Sequence, residues 1–503
     1  MNDGPVHIQF VLVSHTNSGK TTLARTLLGL DIGEVRDAAH VTTMSESHTL
    51  LSSTRGDTLS LWDTPGFGDS VRLLKRLGMA DNPVGWFLRE VLDRYRDRSF
   101  WLSQQALRAA RESADIVLYL VNASEDPGDT GYLASEMKIL EWLKKPVLVL
   151  LNQMGPPQPG PQAEREEERW RRHLERYPII REVLALDAFA RCWVHERVFY
   201  EAVAKLVDAP RSAGYARLLA TWESNNQQRF ADAMRLTSSL LVAAAQDHQT
   251  FAPPKKSRIR SALQAVGLAE EEDEHRRKQA MNALVERLDR NIGETTRQLL
   301  LLHRIEPGEA VRINARVRKN FVVRAPVDKA QAGLLGAAIS GAATGLTTDL
   351  VSGGLTMGAG ALLGGVLGAL TFAGAAWGFN SMTDRNQPSV RFTHEFMREL
   401  VASSILRYLT IAHFGRGRGN FEEGEAPPFW RQEVESSLAA EDDRLIHGWR
   451  TLPADTGLDS ACDLLVPIVT RIATCTLGRL YPDAFGGNGA GQSAFNSGAG
   501  PMT

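Results

Sequence analysis

The sequence predicts an α/β fold, with a doubly wound and mostly parallel sheet, followed by an α-helical region that contains an apolar helical hairpin. Short apolar runs alternate with helical segments up to about residue 208, which is typical of a parallel sheet with helices on both faces. From residue 209 onward the chain has dense charge at helical spacing and few β-branched runs. Residues 330–383 then carry a single charge, Asp349.

Length and charge limit how the chain is organised. Its 503 residues exceed what one hydrophobic core usually holds, and its formal net charge of -2 gives no general attraction to nucleic acid. Composition changes mark the segment boundaries. We predict an α/β domain over 1–208, a helical region over 209–328, a Gly/Ala-rich apolar hairpin over 329–383, a second helical region over 384–483 and a disordered tail over 484–503.

The individual elements follow from local patterns. Runs rich in β-branched and apolar residues predict strands at His7–Val13, Leu50–Ser53, Thr58–Trp62, Ile116–Val121, Val147–Leu151 and Val183–Ala188. Apolar residues at helical spacing predict helices at Thr21–Leu28, Asp69–Ala114, Trp222–Gln246, Lys256–Leu302, Phe392–Phe414, Pro428–Trp449 and Leu458–Leu480. The turn signal Arg55-Gly56-Asp57 joins the second and third strands.

A phosphate-binding motif follows the first strand. Residues 14–21, SHTNSGKT, match GxxxxGK[ST] except that Ser14 replaces the first glycine. Backbone N–H groups of a tight loop that opens a helix form an anion site. Gly19 allows close approach of the phosphate, Lys20 reaches the β- and γ-oxygens, and Thr21 supplies a hydroxyl to Mg²⁺. Because the motif lies between a predicted strand and a predicted helix, it predicts a P-loop. His15 within it is expected to face solvent.

Two further segments complete the expected site. Asp63-Thr64-Pro65-Gly66 ends the third strand, where the carboxylate can hold Mg²⁺ through water and the Gly66 N–H can meet the γ-phosphate. Thr42 and Thr43 lie in a polar loop that can close over Mg²⁺. We expect catalytic roles for Lys20, Thr43 and Gly66, nucleotide contacts from Asn17, Ser18, Gly19, Lys20, Thr21, Thr22, Asp63, Gly66 and Asn152, and Mg²⁺ ligation by Thr21, Thr42, Thr43 and Asp63.

The segments NSGKTTL, VTT and DTPGFGD resemble the Era/TrmE-like branch of the translation-factor class of GTPases, over residues 6–207. The whole chain resembles a bacterial family in which such a domain precedes helices and a Gly/Ala-rich apolar segment. The resemblance implies a P-loop NTPase sheet, GTP and GDP as ligands, Mg²⁺ as cofactor and GTP hydrolysis. In TrmE-like and dynamin-like enzymes, the P-loop position of Asn17 helps bind a K⁺ that stimulates hydrolysis upon dimerisation. The resemblance therefore implies K⁺ at Asn17 and a homodimer through the GTPase domains. The alternative for Asn17 is to hold the loop's own backbone.

Two departures from that pattern matter. The guanine-reading NKxD motif is replaced by Asn152-Gln153-Met154-Gly155, without a carboxylate at position 155. Guanine preference therefore rests on the resemblance, and ATP stays an alternative; Asp187 either substitutes for the missing carboxylate or has a structural or solvated role. Phe67 follows DTPG, where some GTPases have a glutamine that orients the attacking water. Intrinsic hydrolysis is therefore expected to be slow unless a partner positions water.

The apolar segment has two interpretations. Residues 330–348 and 350–383 are each long enough to cross a bilayer, glycines recur four residues apart, and both flanks are basic. These features predict a hairpin that inserts into inner-membrane lipid and has both of its flanks on the cytoplasmic face. The alternative is a hairpin buried in a soluble cytoplasmic protein, and conditional insertion gated by nucleotide reconciles the two.

The combination of site and hairpin predicts a membrane-associated GTP-dependent switch with slow or partner-stimulated hydrolysis. The alternative function is that of a soluble nucleotide-dependent assembly or scaffold protein, whose helices bind a protein or RNA partner.

Overall fold

The structure is a computed structural model. It describes residues 4–16, 18–28, 46–64, 66–77, 97–154, 161–186, 192–250, 268–305, 377–380, 389–413, 428–451 and 457–482. The chain divides into two compact units. The first unit comprises Met1–Gln228 and Ala412–Pro427, and the second comprises Arg229–Ile411 and Pro428–Thr503.

The first unit alternates strands and helices. In chain order they are β1 His7–Ser14, α1 Lys20–Leu28, β2 Glu46–Ser52, β3 Thr58–Asp63, α2 Ser70–Leu77, α3 Arg98–Ser113, β4 Ile116–Asn122, α4 Leu133–Leu143, β5 Val147–Asn152, α5 Pro161–Leu174, β6 Ile180–Ala185, α6 Trp193–Ala204 and the beginning of α7, Ala209–Gln246. This alternation confirms the predicted α/β class.

The six strands form one sheet in the order β2-β3-β1-β4-β5-β6. Only the β2–β3 pair is antiparallel, and β1 lies between β3 and β4 in the parallel part. The predicted doubly wound, mostly parallel sheet is therefore confirmed. The carboxyl ends of β1, β3 and β5 lie at one edge of this sheet, which is where ligands bind in open α/β folds.

Alternate residues of the central strands enter two separate cores, because successive side chains of a strand point to opposite faces. Val11, Val13, Tyr119 and Val149 pack with α3, α4 and α5 on one face. Leu12, Leu118 and Leu150 pack with α1, α6 and α7 on the other. Both faces are thus buried, which explains why these strands are almost continuously apolar.

The turn between β2 and β3 is fixed to helix α7 by a buried carboxylate. Asp57 is 0% exposed. Its Oδ1 accepts from Arg217 at 2.6 Å and from the Val6 N–H at 3.0 Å, and its Oδ2 accepts from Arg217 Nε at 2.8 Å and from Ser53 Oγ at 2.5 Å. Gly214 allows this approach, since a Cβ there would lie 2.5 Å from Val6 Cγ2. The amino-terminal turns of α7 are therefore part of the first unit.

Some predicted boundaries differ from the structure. The last strand is Ile180–Ala185, so the prediction Val183–Ala188 is three residues late. The predicted long helix over 69–114 contains two described helices, α2 and α3, and residues 78–96 lie outside the described residues. Elsewhere in this unit the predicted strands and helices overlap the observed ones.

The described part of the second unit is mainly helical, as predicted. Besides the rest of α7 it contains β7 His248–Thr250, α8 Leu268–Leu302, β8 Trp377–Asn380, β9 Ser389–Phe392, α9 His394–Ala412, α10 Pro428–Ala439, α11 Asp442–Thr451 and α12 Leu458–Leu480. Helix α9 is its most enclosed element, because nearly every residue from Phe396 to Ile411 is buried.

The second unit also contains a small antiparallel sheet in the order β7-β9-β8, which the sequence did not predict. Strand β8 falls within the predicted apolar hairpin, so the prediction of helix is wrong over these four residues. The rest of the hairpin, residues 329–376 and 381–383, lies outside the described residues.

Within the described residues, one helix is long and apolar enough to cross a membrane, namely α12. In its most apolar stretch, 44% of the residues are buried inside the protein. Leu465, Val469 and Ile472 belong to this buried face. A core helix of a soluble protein passes the same test, so α12 is weak evidence for membrane insertion.

Candidate functional site

The site is assembled at the carboxyl ends of three parallel strands. Ser14 ends β1, Asp63 ends β3 and Asn152 ends β5. All three residues are buried, with exposures of 0%, 4% and 0%. The register places Leu12 opposite Asp63, so the end of β3 lies beside the start of the phosphate loop, residues 14–21.

Lys20 begins helix α1 and is 8% exposed. Its ammonium group donates to Ser14 Oγ at 2.8 Å, so the serine that departs from the glycine of the motif provides an acceptor for the lysine. Burial lowers the pKa of Lys20, while the charges of Asp63 and Glu136 act in the opposite direction. A bound polyphosphate would supply the negative charge that such a buried ammonium requires.

Gly19 has a backbone conformation that favours glycine. Its φ is +87°, and a Cβ there would lie 2.6 Å from Asn152 Nδ2. That amide donates to the Ser18 carbonyl at 2.8 Å. Asn152 therefore ties the end of β5 to the phosphate loop.

Gly66 lies directly against the phosphate loop, as the predicted contact with the γ-phosphate requires. A Cβ at this position would lie 3.1 Å from Thr16 Cα and 3.2 Å from Lys20 Nζ. The next residue, Phe67, donates its N–H to the Ser14 carbonyl at 3.0 Å, and Ser103 of α3 donates to the Gly66 carbonyl at 3.0 Å. Gly66 is thus held within reach of the lysine.

Thr21 and Asp63, two of the expected Mg²⁺ ligands, lie in contact with each other. Thr21 Oγ1 donates to Asp63 Oδ2 at 3.0 Å. A hydroxyl and a carboxylate are oxygen ligands that suit Mg²⁺, which prefers one or two protein oxygens together with water and substrate phosphates. The residues present therefore fit the metal. Nearby, Thr64 Oγ1 donates to the Leu12 carbonyl at 2.7 Å and fixes the end of β3 to β1.

Phe67 is part of the hydrophobic core, with an exposure of 2%. Its ring packs in the cluster that contains Leu73 and Phe100. The side chain at the position of the water-orienting glutamine is therefore directed into the protein, away from the phosphate site.

The described residues of the segment that is expected to contact the nucleotide base lie next to the phosphate loop. Gln153 Nε2 is 3.8 Å from the position that a Cβ of Gly19 would occupy, and Gln153 has a positive φ of 60°. Gly155 and Asp187 lie outside the described residues. Contact of Asn152 with a base edge stays a prediction, because its amide nitrogen is hydrogen-bonded to the loop.

The predicted roles of several further residues stay predictions. Asn17, Thr42 and Thr43 lie outside the described residues. Thr22 is described and is 5% exposed within α1, and Ser18 donates its hydroxyl to the His15 carbonyl at 2.9 Å. Their nucleotide contacts stay predictions.

His15, whose side chain is 28% exposed, keeps part of the expected solvent contact but also makes two contacts that the sequence did not predict. Its Nδ1 is 2.7 Å from Glu136 Oε1, and its ring stacks on Tyr132 with centroids 3.9 Å apart and planes inclined by 9°. The sequence held one signal for this contact. Glu136 lies on the same helical face as Leu133, Met137 and Leu140, so helix periodicity places its carboxylate toward the core.

Two family models match the chain. The model described as a domain of unknown function (DUF3482) matches residues 171–461, which is more than half of the chain. The chain belongs to the DUF3482 family. The model described as a 50S ribosome-binding GTPase matches residues 9–153 of this DUF3482 protein, the segment that holds the phosphate loop, Asp63, Gly66 and Asn152. The amino-terminal domain thus has the P-loop GTPase fold that the resemblance implied.

The DUF3482 chain is also similar to solved structures, at low identity. Era in complex with MgGDPNP and nucleotides of 16S ribosomal RNA is 18% identical; the match covers 36% of this chain and 51% of that chain, with a TM-score of 0.27. Era from Aquifex aeolicus bound to GDP and AlF4- is 20% identical over 46% and 68%, with a TM-score of 0.28. A probable GTP-binding protein, EngB, is 14% identical over 39% and 97%, with a TM-score of 0.25. The DUF3482 protein has no match among curated proteins.

Proposed function

We propose that this DUF3482 protein is a switch that binds GTP with Mg²⁺ and hydrolyses it slowly, unless a partner supplies a group that orients the attacking water. The observation that carries the proposal is the convergence of Lys20, the Thr21–Asp63 pair and Gly66 at one point of the sheet edge. Membership of the GTPase domain in a GTP-binding family supports guanine nucleotides as the ligands.

Each residue of the site has a distinct task in this proposal. The loop around Gly19 presents backbone N–H groups to the β-phosphate, and Lys20 binds the β- and γ-oxygens. The hydroxyl of Thr21 and the carboxylate of Asp63 hold Mg²⁺, which when bound neutralises charge on the β- and γ-phosphates. The Gly66 N–H binds the γ-phosphate. Loss of that phosphate on hydrolysis would release Gly66 and the segment that follows it.

Slow hydrolysis follows from the position of Phe67. A buried phenyl ring provides neither a donor nor an acceptor for the attacking water. We expect a single-turnover rate on the order of 10⁻⁴–10⁻³ s⁻¹, as in GTPases without their activating partner. Comparing K⁺ with Na⁺ at increasing protein concentration tests the proposed role of Asn17 and of a homodimer. Acceleration by K⁺ that rises with protein concentration is the expected result, and equal rates in both salts would contradict it.

The test of nucleotide binding compares GTP, GDP and ATP in parallel, with and without Mg²⁺. Lys20→Ala is expected to weaken GTP binding by about tenfold to a hundredfold, since hydrogen bonds between charged groups are lost. Lys138→Ala is the matched control, because Lys138 is an exposed lysine on α4. Wild-type protein that takes up no nucleoside triphosphate in the presence of Mg²⁺ would refute the function. Tighter binding of ATP than GTP would refute the guanine preference only.

Membrane association is the second part of the proposal. It is supported by the single charge in 330–383 and by basic residues on both sides of that segment, namely Arg312, Arg316, Arg318, Lys319, Arg324 and Lys329 before it and Arg385, Arg391 and Arg398 after it. Flotation with anionic liposomes in GTP and in GDP tests it, with the chain lacking 330–376 as the control, since this deletion keeps strand β8. Flotation lost on deletion supports membrane attachment through this segment, and protein that never floats contradicts it.

A soluble assembly or scaffold protein is the alternative function. The observation that favours it is helix α12, the one described helix long and apolar enough to cross a membrane, whose Leu465 and Val469 are 0% exposed inside the second unit. In that case the apolar segment is also core, and hydrolysis times the release of a protein or RNA partner. Protein that stays out of the liposome fraction but changes its assembly state with nucleotide would favour this function.

A further inference from the structure

Behind the phosphate loop lies a chain of hydrogen bonds that begins at His15. Glu136 accepts from His15 Nδ1 at 2.7 Å through Oε1 and from the Tyr119 hydroxyl at 2.6 Å through Oε2. Since a carboxylate is an acceptor, the bonded nitrogen of His15 carries the proton. The ring of Tyr132 covers the imidazole by stacking, and its hydroxyl donates to Glu125 at 2.5 Å. His15 is thus held by one hydrogen bond and one ring contact.

The carboxylate lies in an apolar environment. Glu136 and Tyr119 are both 0% exposed, and Tyr119 belongs to the same core cluster as Met137 and Leu140. Burial raises the pKa of Glu136, while its bonds to His15 and Tyr119 and the charge of Lys20 favour the ionised form. A buried carboxylate is costly unless it is hydrogen-bonded. Its two partners and its position in the first turn of α4 meet that requirement.

The backbone of the loop is connected to the same residue. The His15 carbonyl accepts from Ser18 Oγ at 2.9 Å and from the Ser14 hydroxyl. Because two hydroxyl groups donate to the His15 carbonyl, this oxygen does not point at a bound anion. The peptide bond is planar and trans, so the N–H of Thr16 points in the opposite direction. Fixing the side chain of His15 therefore restricts the conformations of the phosphate loop on both sides of it.

We propose that Glu136 and Tyr119 are positioning residues that hold His15, so that the phosphate loop is ordered before nucleotide binds. This inference rests on the proposed function. A loop ordered in advance loses less conformational entropy on binding, which raises its affinity for the ligand. Neither residue belongs to the P-loop motif; both act on the nucleotide through His15.

The experiment measures the dissociation constant for Mg²⁺·GDP and the ³¹P resonance of the bound β-phosphate. Tyr119→Phe removes one hydroxyl, and Glu136→Gln removes the charge with little change in shape. Each is expected to weaken binding by about tenfold, the equivalent of ordering roughly one residue's backbone, and to shift or broaden the β-phosphate resonance. Glu141→Gln, an exposed glutamate on the same helix, is the matched control and should leave both quantities unchanged.

A pair of substitutions at His15 separates positioning from the electric field of the carboxylate. His15→Ala removes the donor and leaves the Glu136 side chain in place, and it should also weaken binding by about tenfold. The amide nitrogen of His15→Asn lies near the position of Nδ1, so this variant should restore most of the affinity. An asparagine variant as weak as the alanine variant would overturn the positioning role of the hydrogen bond.

The outcomes distinguish this inference from the proposed function. Wild-type protein that binds no nucleotide refutes the function and the inference with it. Wild-type protein that binds GDP, together with Tyr119→Phe and Glu136→Gln variants that match it in affinity and in the β-phosphate resonance, overturns the inference alone. Circular dichroism and thermal unfolding without nucleotide verify folding, and Tyr119→Phe, the smallest change, decides the result if Glu136→Gln unfolds.

Discussion

Replacing Asp57 by asparagine tests how strongly the β2–β3 turn is held to helix α7. The carboxylate accepts four hydrogen bonds, two of them from Arg217. Asparagine keeps one acceptor oxygen and presents an NH₂ group to donors on the other side. Breaking a buried ion pair costs about 3–5 kcal/mol. Because the Arg217 side chain is 27% exposed, we expect Asp57→Asn to lower the free energy of unfolding by an amount at the lower end of this range, about 3 kcal/mol.

The free energy of unfolding of the first unit can be measured separately from that of the second. Samples equilibrated in increasing urea are pulsed with deuterium, and peptides from β1 and β3 report the unfolded fraction of that unit. Asp208→Asn is the matched control, since this carboxylate is 52% exposed and pairs with Arg211 at the surface, where an ion pair contributes about 0–1 kcal/mol. A loss below about 1 kcal/mol for Asp57→Asn would refute the reasoning, because the pair would then behave like a surface ion pair.

The same variant has a defined pH dependence. Hydrogen bonding to Arg217 holds the pKa of Asp57 well below its usual range. A carboxyl group whose pKa is lower in the folded state stabilises the fold above its unfolded pKa of about 3.9, and this stabilisation is lost as pH falls below that value. The difference in the free energy of unfolding between wild type and Asp57→Asn should therefore have its full value at pH 7 and should shrink below about pH 4. A difference that stays constant down to pH 3 would contradict the assignment.

Two further predictions concern a buried charge and a glycine. Arg407 is 2% exposed, burial lowers its pKa to about 10, and no carboxylate within the described ranges pairs with it. Arg407→Met should therefore leave the free energy of unfolding of the second unit, measured in urea, unchanged or raise it by about 1–4 kcal/mol. Arg431→Met, which removes a paired arginine, should lower that free energy. Gly19→Ala should weaken GDP binding at least about tenfold, because a positive φ strains alanine by about 1–3 kcal/mol and its Cβ would meet Asn152 Nδ2 at 2.6 Å. Gly131→Ala, with open space around it, should bind GDP like wild type, and equal affinities for the two alanine variants would contradict the second prediction.

The core of the fold was predictable because its strands are buried on both faces. Ile116–Asn122 and Val147–Asn152 are apolar almost without interruption, and only a central strand of a parallel sheet or a buried helix accounts for such a run. The boundary of β6 was harder to predict. Residues 179–188 are apolar at most positions, so the sequence offers several registers of similar quality.

The small sheet of the second unit was not predictable from local pattern. His248–Thr250 is polar and three residues long, and Trp377–Asn380 follows an uncharged glycine-rich run that favours a helix of membrane type. Their pairing with Ser389–Phe392 supplies the hydrogen bonds that define them as strands. Strands this short depend on tertiary context more than on their own residues.

Within the site, the sequence predicted the residues of the motif and missed their supports. Lys20, Thr21, Asp63 and Gly66 follow from fixed spacing and from the ends of strands. The contact of His15 with Glu136 joins residues 121 positions apart, and no local pattern specifies such a distant partner. Only the helical face of Glu136 indicated that its carboxylate is buried.

The contact of helix α7 with the first strand has a consequence for how the protein is made. Val6 and Asp57 are synthesised early, yet the groups that they meet, at Gly214 and Arg217, emerge from the ribosome about 160 residues after Asp57. Until then the amino end of β1 lacks its covering helix and Asp57 lacks its cation. A nascent chain, or a fragment cut at residue 208, therefore exposes the apolar side chains that α7 covers on one face of the sheet, and chaperones or neighbouring chains can bind them.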